Sequence, residues 1–277
     1  MKVYDCFIFY NELELLDLRL KELSPFVDYF VICESNKTFS GKDKKSVYLE
    51  NAHLFEEYHD KIIHINYVDD SVTDPWEREA NQRNAIEKAY EDADDDDVIM
   101  LSDCDELPWL HETFTFKGDM GQFAPSRFCY YYVNVTLEKG HGNTQWWRKK
   151  FNVRPQAMRE LVMWHTNAVE GRVWVEGAAP TQWAFPFSHD GELCEGWHFS
   201  YLGGADRIRD KIGAFSHQEY NNPEVLDQLE HRLETNTNIF QDCGRQQELK
   251  VISLEDHLQP REMDWWLKKY PYLLKPT

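Results

Sequence analysis

The sequence is short of positive charge, of paired cysteines and of long apolar runs. Its 30 Lys and Arg residues stand against 49 Asp and Glu residues, giving a formal net charge of -19 at pH 7. This excess disfavours non-specific binding to DNA, RNA or anionic membranes, because basic surfaces hold those partners. A membrane-spanning helix needs about 20 apolar residues, and no apolar run in the sequence approaches that length. The N-terminus also lacks the apolar core and cleavage site of a signal peptide.

The six cysteines are scattered along the chain, and none of them forms a CxxC pair. This spacing indicates neither a zinc site nor a dense disulfide framework. Cys6 and Cys33 lie in apolar segments, where a free thiol behaves as a small hydrophobic side chain. We therefore expect reduced cysteines and a cytoplasmic location.

The composition and the pattern of segments indicate an ordered α/β protein. The chain has only 13 Gly and 11 Pro residues among 277, and 42% of it is hydrophobic. Its length fits one large domain. Strand-like and helix-like segments alternate over the first ~110 residues, which predicts a mainly parallel, twisted, Rossmann-like sheet. The predicted strands lie at 3–10, 27–35, 61–68 and 98–108.

The helical segments follow from apolar spacing and from their end signals. Leucines at helical spacing follow the first strand, with Asn11 as the candidate N-terminal cap and Pro25 at the end. Further helices are predicted at 76–91, 204–217 and 223–234. The apolar tail from Glu262 is expected to pack back onto the body. Aromatic segments separated by Gly, Pro and Asn at 120–190 predict a more β-rich and irregular second half.

The fourth predicted strand ends in an acidic pair, Asp103 and Asp105, followed by Glu106 and Pro108. In open α/β sheets, ligands bind at the carboxyl ends of the strands. Residues i and i+2 of an extended chain point the same way, so both carboxylates could present oxygen ligands to Mg²⁺ or Mn²⁺. Such an ion can bridge the phosphates of a nucleotide and neutralise a leaving diphosphate. The alternative is an acidic turn without chemistry, since Asp-x-Asp is a common sequence.

Five sequence blocks carry a family resemblance. They are DCFIFYNELELLDLRLKEL, VDYFVICESNKTFSGK, WEREANQRN, LSDCDELP and GWHFSYLGG, the last followed by KIGAFSHQEY. In order and spacing they resemble glycosyltransferase family 17 over roughly residues 3 to 220. The resemblance implies a GT-A-type fold, a UDP-sugar donor, a divalent cation and inversion at the anomeric carbon. It also implies transfer of a sugar, with GlcNAc favoured, to a glycan hydroxyl.

The resemblance further implies a single GT-A-type domain over residues 1–277. Its nucleotide-sugar-binding half is expected at 1–115, and its acceptor-binding half with the C-terminal helices at 116–277. Animal members of the family carry an N-terminal membrane anchor, whereas the matching blocks here begin at Asp5. This favours a bacterial or viral cytoplasmic enzyme. Few motifs can be matched at 115–190, so the acceptor and the linkage stay open.

The resemblance assigns the metal to the acidic pair and to a later histidine. Asp105 is the expected direct ligand, and Asp103 is expected to reach either the ribose or the metal. His198 is the candidate third ligand, because neutral imidazole suits Mn²⁺, and His217 is the next candidate. The alternative for His198 is a hydrogen-bonded histidine of the core.

An inverting transfer needs a carboxylate that takes the proton of the acceptor hydroxyl. Asp206, at a predicted helix start where the helix dipole favours its ionised form, is the candidate catalytic base. Glu195 is the second candidate. The alternative for Asp206 is a simple helix cap.

The donor site is expected at the ends of the first two strands and on nearby helices. Its candidate residues are Phe9, Tyr10, Asn11, Glu12, Glu34, Arg83, Asp103, Trp197 and Lys211. Arg83 alternatively forms a surface salt bridge with Glu79 or Glu87 at helical spacing. Lys211 is the candidate partner of the diphosphate. The irregular segment at 120–190 contains five tryptophans: Trp146, Trp147, Trp164, Trp174 and Trp183. Most of them are expected in the core, and one or two are expected at the acceptor groove.

Three other functional classes are compatible with the sequence. Glycoside hydrolases also use paired carboxylates, but they hold an acid and a base about 5 to 10 Å apart and need no metal. A carbohydrate-binding protein would bind ligand without turnover. A phosphoryl- or nucleotidyltransferase would share an acidic metal site but would release phosphate or pyrophosphate. A requirement for UDP and Mn²⁺ separates the glycosyltransferase from the hydrolase.

Overall fold

A computed structural model of the protein describes residues 1–115, 120–123, 127–137, 149–153, 193–241 and 248–276. The strands of these ranges are β1 (Val3–Ile8), β2 (Tyr29–Ser35), β3 (Ile62–Tyr67), β4 (Val98–Asp103), β5 (Glu106–Pro108), β6 (Met120–Phe123), β7 (Arg127–Tyr130), β8 (Val135–Leu137), β9 (Lys149–Val153), β10 (Leu193–Cys194), β11 (Gly196–Ser200) and β12 (Leu249–Val251). The α-helices are α1 (Leu13–Leu23), α2 (Val47–Asn51), α3 (Pro75–Asn84), α4 (Ala205–Ala214), α5 (Pro223–Leu226), α6 (Leu229–Thr235) and α7 (Met263–Lys269). Short 3-10 helices lie at Ala52–Lys61, Ala85–Ala89, Gln218–Tyr220 and Pro271–Leu273.

The larger sheet has the strand order β10, β6, β9, β4, β1, β2, β3. Its strands β4, β1, β2 and β3 are parallel to one another. The predicted α/β fold with a parallel, Rossmann-like sheet is therefore confirmed. Strand β9 runs antiparallel to both β4 and β6, so the edge contributed by the second half is mixed.

The central strand β1 is buried on both faces, which explains its nearly continuous apolar sequence. Phe7 packs into a cluster with the leucines of α1, and Cys6 packs into a second cluster with Ile86. Asp5 is the polar exception: its side chain is fully buried and pairs with the equally buried Arg19 of α1. Both charges therefore lie inside the core, directly below the carboxyl edge of the sheet.

Helix α1 forms where the leucine spacing predicts it, but its predicted cap is wrong. The N-cap position is held by Glu12 rather than by Asn11, and no side chain caps the helix there. The Asn11 carbonyl instead accepts a hydrogen bond from Leu13 N at 2.9 Å. Leu16, Leu20 and Leu23 are fully buried, so packing of the apolar face holds the helix in place.

The predicted fourth strand is broken in two. Strand β4 ends at Asp103, residues 104 and 105 form a turn, and β5 begins at Glu106 in the smaller sheet. That sheet has the order β12, β8, β7, β11, β5, and His198 of β11 lies opposite Glu106. The turn therefore joins the two sheets at the carboxyl end of β4.

The second half is irregular, as predicted. Strands β7 and β8 are separated by a tight connection in which Tyr131 has a φ of 66°, and its hydroxyl donates to Thr237 O at 2.8 Å. The predicted helices at 204–217 and 223–234 are confirmed as α4 and as the pair α5 and α6. The strand-like segments at 154–190 lie outside the described residues.

The C-terminal tail packs onto the body as expected. Trp266 of α7 is fully buried and donates its indole N–H to Glu14 O at 2.6 Å. Its ring also contacts Phe199 of β11, with 5.6 Å between ring centroids. The tail thus ties α1 to the smaller sheet.

The cysteines agree with the reduced state expected from their spacing. The four whose side chains the structure describes are free and buried: Cys6, Cys33, Cys104 and Cys129. Among the described helices, none is both long enough and apolar enough to cross a bilayer. The expected division at residue 115 stays a prediction.

Candidate active site

The acidic turn that follows β4 is the centre of the candidate site. We use "acidic turn" for residues 103–106. The prediction that Asp103 and Asp105 share an extended backbone is wrong, because the strand stops at Asp103 and Asp105 lies in the turn. Phe199 N donates to Asp105 O at 2.8 Å, and Asp103 N donates to Glu106 Oε2 at 2.8 Å. The side chains of Asp103 and Asp105 accordingly contact different cations.

Arg19 supports the acidic turn from inside the core. Its guanidinium group donates to the carbonyl oxygens of Asp103 at 3.0 Å and of Glu106 at 2.6 Å. It also donates to Ser102 Oγ and makes two bonds of 2.6 and 2.7 Å to the Asp5 carboxylate. The planar fork of arginine can serve both sets of acceptors at once. The sequence analysis missed Arg19, which lies in a leucine-rich helix that offers no obvious signal of this role.

Asp105 lies between a lysine and a histidine. Its Oδ2 accepts from Lys211 Nζ at 2.9 Å, and its Oδ1 lies 3.5 Å from His198 Nε2. Burial alone would raise the pKa of Asp105, but the charges of Lys211 and His198 and the hydrogen bond from His198 hold it well below its usual range. Asp105 is therefore an ionised, nearly buried carboxylate whose charge the chain itself balances.

His198 lies in the core and also contacts the site. Its side chain is 7% exposed, its Nε2 is 3.1 Å from Ser200 Oγ, and its ring lies against Phe128 at 5.0 Å. The interpretation of His198 as a hydrogen-bonded core histidine therefore fits the structure, and its role as a metal ligand stays a prediction. His217 lies elsewhere, bonded to Glu219 and in edge contact with Trp76.

Lys211 connects the acidic turn to the end of β1. Its Nζ lies 3.5 Å from Glu12 Oε1 and 5.6 Å from the centre of the Tyr201 ring. Glu12 is itself held by Tyr10 N and Asn11 N, which donate to its other oxygen at 3.3 and 3.1 Å. Burial would lower the pKa of Lys211, but Asp105 and Glu12 outweigh it and raise that pKa above its ordinary value.

Asp103 contacts the predicted donor residue Arg83. Arg83 NH1 lies 2.7 Å from Asp103 Oδ1, and NH2 lies 3.0 Å from Glu79 Oε1. The helical salt bridge to Glu79, one alternative for Arg83, is therefore present, and the other alternative, that Arg83 binds the donor nucleotide, stays a prediction. Glu79 in turn accepts from Ser216 Oγ, which fixes the end of α4 against α3.

The polar side chains that follow β1 are half-buried and contact an acid of α4 that was not among the predicted site residues. Asp210 of α4 accepts from Tyr10 Oη at 2.9 Å and from Asn11 Nδ2 at 2.8 Å. Its spacing of four residues from Asp206, one helical turn, is the signal that could have drawn attention to it. Burial and Asp210 raise the pKa of Tyr10, so its hydroxyl stays protonated at neutral pH.

Three of the predicted donor residues are turned into the body of the protein. Phe9 and Trp197 are 2% and 1% exposed and belong to the main hydrophobic cluster. Glu34 is fully buried, and its carboxylate accepts bonds from one short loop and from β3. Its donors are Lys44 Nζ, Ser46 Oγ, Val47 N, Tyr48 N and His64 Nε2. The structure thus places Glu34 as the acid that holds α2 onto the sheet.

The two predicted catalytic bases lie at the surface. Asp206 is fully exposed in the first turn of α4 and pairs with Arg209 at 2.9 Å. Glu195 is exposed before β11, and its carbonyl accepts from Trp109 N at 2.8 Å. Both assignments stay predictions. The five tryptophans of the segment 120–190, of which one or two are expected at the acceptor groove, lie outside the described residues at 146, 147, 164, 174 and 183.

The predicted metal ligands are only partly brought together. Asp105 and His198 are neighbours, but Asp103 contacts Arg83, and Lys211 occupies the second oxygen of Asp105. In the part of the chain that the structure describes, no three His, Cys, Asp or Glu side chains are grouped to hold a metal ion. As it stands, this arrangement does not fit the divalent cation that the resemblance implies. The expectation of Mn²⁺ or Mg²⁺ stays a prediction.

Comparison with known proteins bears on the same part of the chain. Residues 1–123 match the model of Glycosyltransferase family 17. The proteins named beta-1,4-mannosyl-glycoprotein 4-beta-N-acetylglucosaminyltransferase of Homo sapiens and Rattus norvegicus are each 29% identical to the chain over 108 residues. That of Mus musculus is 28% identical over 108 residues. These matches cover 35% of this chain and only 20% of each relative, so the chain matches about a fifth of the relatives' length.

The family match includes the candidate site in part. It contains the end of β1, Arg83 and the acidic turn, and it confirms the resemblance to glycosyltransferase family 17 over these residues. His198 and Lys211 lie beyond the matched range. Their place in the site therefore depends on contacts with matched residues: both contact Asp105, and Lys211 also contacts Glu12.

Proposed function

Since residues 1–123 match glycosyltransferase family 17, we propose that the protein is a glycosyltransferase that moves a sugar from a UDP-sugar to a hydroxyl of a glycan acceptor. We take GlcNAc as the sugar, because the curated relatives are named as N-acetylglucosaminyltransferases. The relatives' names also specify a mannosyl-glycoprotein acceptor. The acceptor of this chain is left at the level of a glycan hydroxyl.

The observation that carries the proposal is the position of the acidic turn. It follows the carboxyl end of β4, beside the end of β1, in a parallel sheet where such edges bind ligands. Two cations from separate helices, Arg83 and Lys211, contact the acidic turn, and Glu12 contacts the second of them. A nucleotide diphosphate needs this combination of cations for its phosphates and of acceptors for its ribose hydroxyls.

The uridine is assigned to the end of β1. The Tyr10 ring is half-buried and has Lys44 Nζ 5.7 Å from its centre, and the Asn11 side chain is held by Asp210. A uracil ring can stack on tyrosine, and the ribose hydroxyls can donate to Glu12 or Asp103. The diphosphate would then face Lys211.

Transfer requires that the acceptor oxygen forms a bond to the anomeric carbon while the bond from that carbon to the phosphate oxygen breaks. UDP leaves with the electron pair of that bond, and a carboxylate takes the proton of the acceptor hydroxyl. Attack from the face opposite UDP gives the inversion expected from the family. Asp206 is retained as the proposed base, and Asp210, one turn further along α4, is added as a second candidate because it contacts Tyr10 and Asn11.

Nucleotide specificity is tested by thermal unfolding with UDP, GDP, CDP and their sugars, each with Mn²⁺ and with EDTA. A ligand at a hundredfold excess over its dissociation constant adds about 2.7 kcal/mol of stability. We expect a rise in Tm with the uridine compounds and none with the others. The same rise with all three nucleotides, or with none, would contradict the proposal.

The site is tested with Asp105→Asn, and Asp264→Asn on the exposed face of α7 is the matched control. Asp105→Asn is expected to weaken binding of UDP-GlcNAc, because Lys211 loses its anchor, whereas the control binds as the native chain does. The base assignment is tested with Asp206→Asn and Asp210→Asn. The variant that binds the donor but no longer transfers sugar to a glycan identifies the base. If both variants transfer sugar at the native rate, neither Asp206 nor Asp210 is the base.

A further inference from the structure

The positive charges that contact the acidic turn come from the side chains of Lys211 and Arg83. Lys211 and Asp105 are joined at 2.9 Å, and Arg83 and Asp103 are joined at 2.7 Å. Each carboxylate of the Asp-x-Asp pair therefore has its own organic cation. A divalent ion bound by both carboxylates would compete with these two cations for the carboxylate oxygens.

The Lys211 ammonium is held from three sides. Asp105 and Glu12 contact it with oxygens at 2.9 and 3.5 Å, and the Tyr201 ring lies 5.6 Å away. The helix that carries it is anchored by Ile208 and Ile212, both of which are buried on the neighbouring face of α4. A lysine so fixed loses little further side-chain entropy when it binds a ligand.

The same ammonium is available to a ligand. An ammonium group has three donors, and its two carboxylate partners leave one for another acceptor. The Lys211 side chain is 29% exposed and lines a pocket together with Asn11, Tyr201 and Arg207. Arg207 also lines this pocket, and its guanidinium group is fixed by Glu14 Oε2 at 2.6 Å and by Asn11 O at 2.9 Å. Glu12 and Glu14 line the pocket beside these two cations.

We propose that Lys211 supplies the positive charge that faces the donor diphosphate, so that the nucleotide binds without a divalent cation. The inference rests on the proposed function, because it takes a nucleoside diphosphate as the ligand. It departs from the metal that the family resemblance implies. The carboxylates Asp105 and Glu12 then serve to position the lysine rather than to coordinate an ion.

The test is calorimetric titration of UDP into the full chain, first in EDTA and then with Mn²⁺. The native chain is expected to bind UDP in EDTA with a Kd that Mn²⁺ changes by less than about tenfold. Binding only in the presence of Mn²⁺ overturns the inference and leaves the proposed function standing. The lack of UDP binding in either condition overturns both.

Variants of the lysine give a second readout. Lys211→Met is expected to weaken UDP binding in EDTA by about 10-fold to 100-fold, the loss typical of one charged hydrogen bond. Lys211→Arg keeps the charge and is expected to bind UDP more tightly than Lys211→Met. The control is Lys268→Met, on the exposed side of α7, with native affinity expected. Native UDP affinity in a folded Lys211→Met variant would contradict the inference. If Lys211→Met does not fold, the UDP titrations of Lys211→Arg and of the native chain decide between the outcomes.

Discussion

Replacing Arg19 with methionine should strongly destabilise the protein. Methionine keeps much of the volume but removes the charge that balances Asp5, and both side chains are fully buried. Removing one partner of a buried ion pair costs about 3–5 kcal/mol, because the other charge is left without compensation. The carbonyls of the acidic turn also lose their donor. Since the free energy of unfolding of native proteins is about 5–15 kcal/mol, Arg19→Met should remove a large part of it.

The assay is urea denaturation at neutral pH, with the free energy of unfolding compared between variants. Arg209→Met is the matched control: Arg209 is 39% exposed and pairs with two exposed acids, so its loss should change the free energy of unfolding far less than the loss of Arg19 does. The double variant Asp5→Leu with Arg19→Met should be less destabilised than the sum of the two single variants, because the charges are removed together. An Arg19→Met protein within about 1 kcal/mol of native would refute the reasoning.

Three further outcomes are expected. Burial opposes ionisation of Glu34, but hydrogen bonds from His64 and Ser46 and the charge of Lys44 hold its pKa below the ordinary value. Its carboxylate therefore stabilises the fold above an unfolded pKa of about 4.3 and loses this effect as pH falls through the folded pKa. Glu34→Gln should thus cost about 1.5–3 kcal/mol at pH 7, and the difference from native in urea denaturation should shrink in acid; a difference independent of pH would contradict this. Gly203→Ala should cost about 1–3 kcal/mol in the same assay, because φ is +100° and the new Cβ would lie 2.4 Å from Arg207 Cδ; unchanged stability would count against the backbone described. Four buried thiols should resist alkylation at pH 8 until the chain unfolds, as read by peptide mass spectrometry, because burial raises their pKa values: Cys6, Cys33, Cys104 and Cys129. Rapid labelling of any of them in the native chain would contradict their placement.

The parallel sheet and the place of the acidic pair could be predicted because both follow from local patterns. Alternation of strand and helix fixes the parallel order, and a strand that ends in acids puts them at the ligand-binding edge. The break after Asp103 could not be predicted. It depends on Arg19, 84 residues earlier, and on pairing of Glu106 with His198, far along the chain. Neither contact can be predicted from the residues adjacent to the turn in the sequence.

The candidate donor residues differ in the same way. Tyr10, Asn11 and Glu12 lie at the edge because they follow the central strand directly. Glu34 lies at the end of strand β2, but His64 and a segment 10 to 14 residues later surround its carboxylate. Such partners come from the tertiary fold. A position at a strand end therefore predicts that a residue lies at the carboxyl edge of the sheet, but it does not predict the direction of the side chain.

The most direct test of the account is a crystal structure of the full chain with UDP-GlcNAc, grown in EDTA. We predict a nucleotide at the carboxyl end of β1 and β4, with a diphosphate oxygen within hydrogen-bond distance of Lys211 Nζ and the sugar beside the acidic turn. A nucleotide bound away from Lys211 and residues 103–106, or a chain that binds none at saturating UDP-GlcNAc, would contradict it.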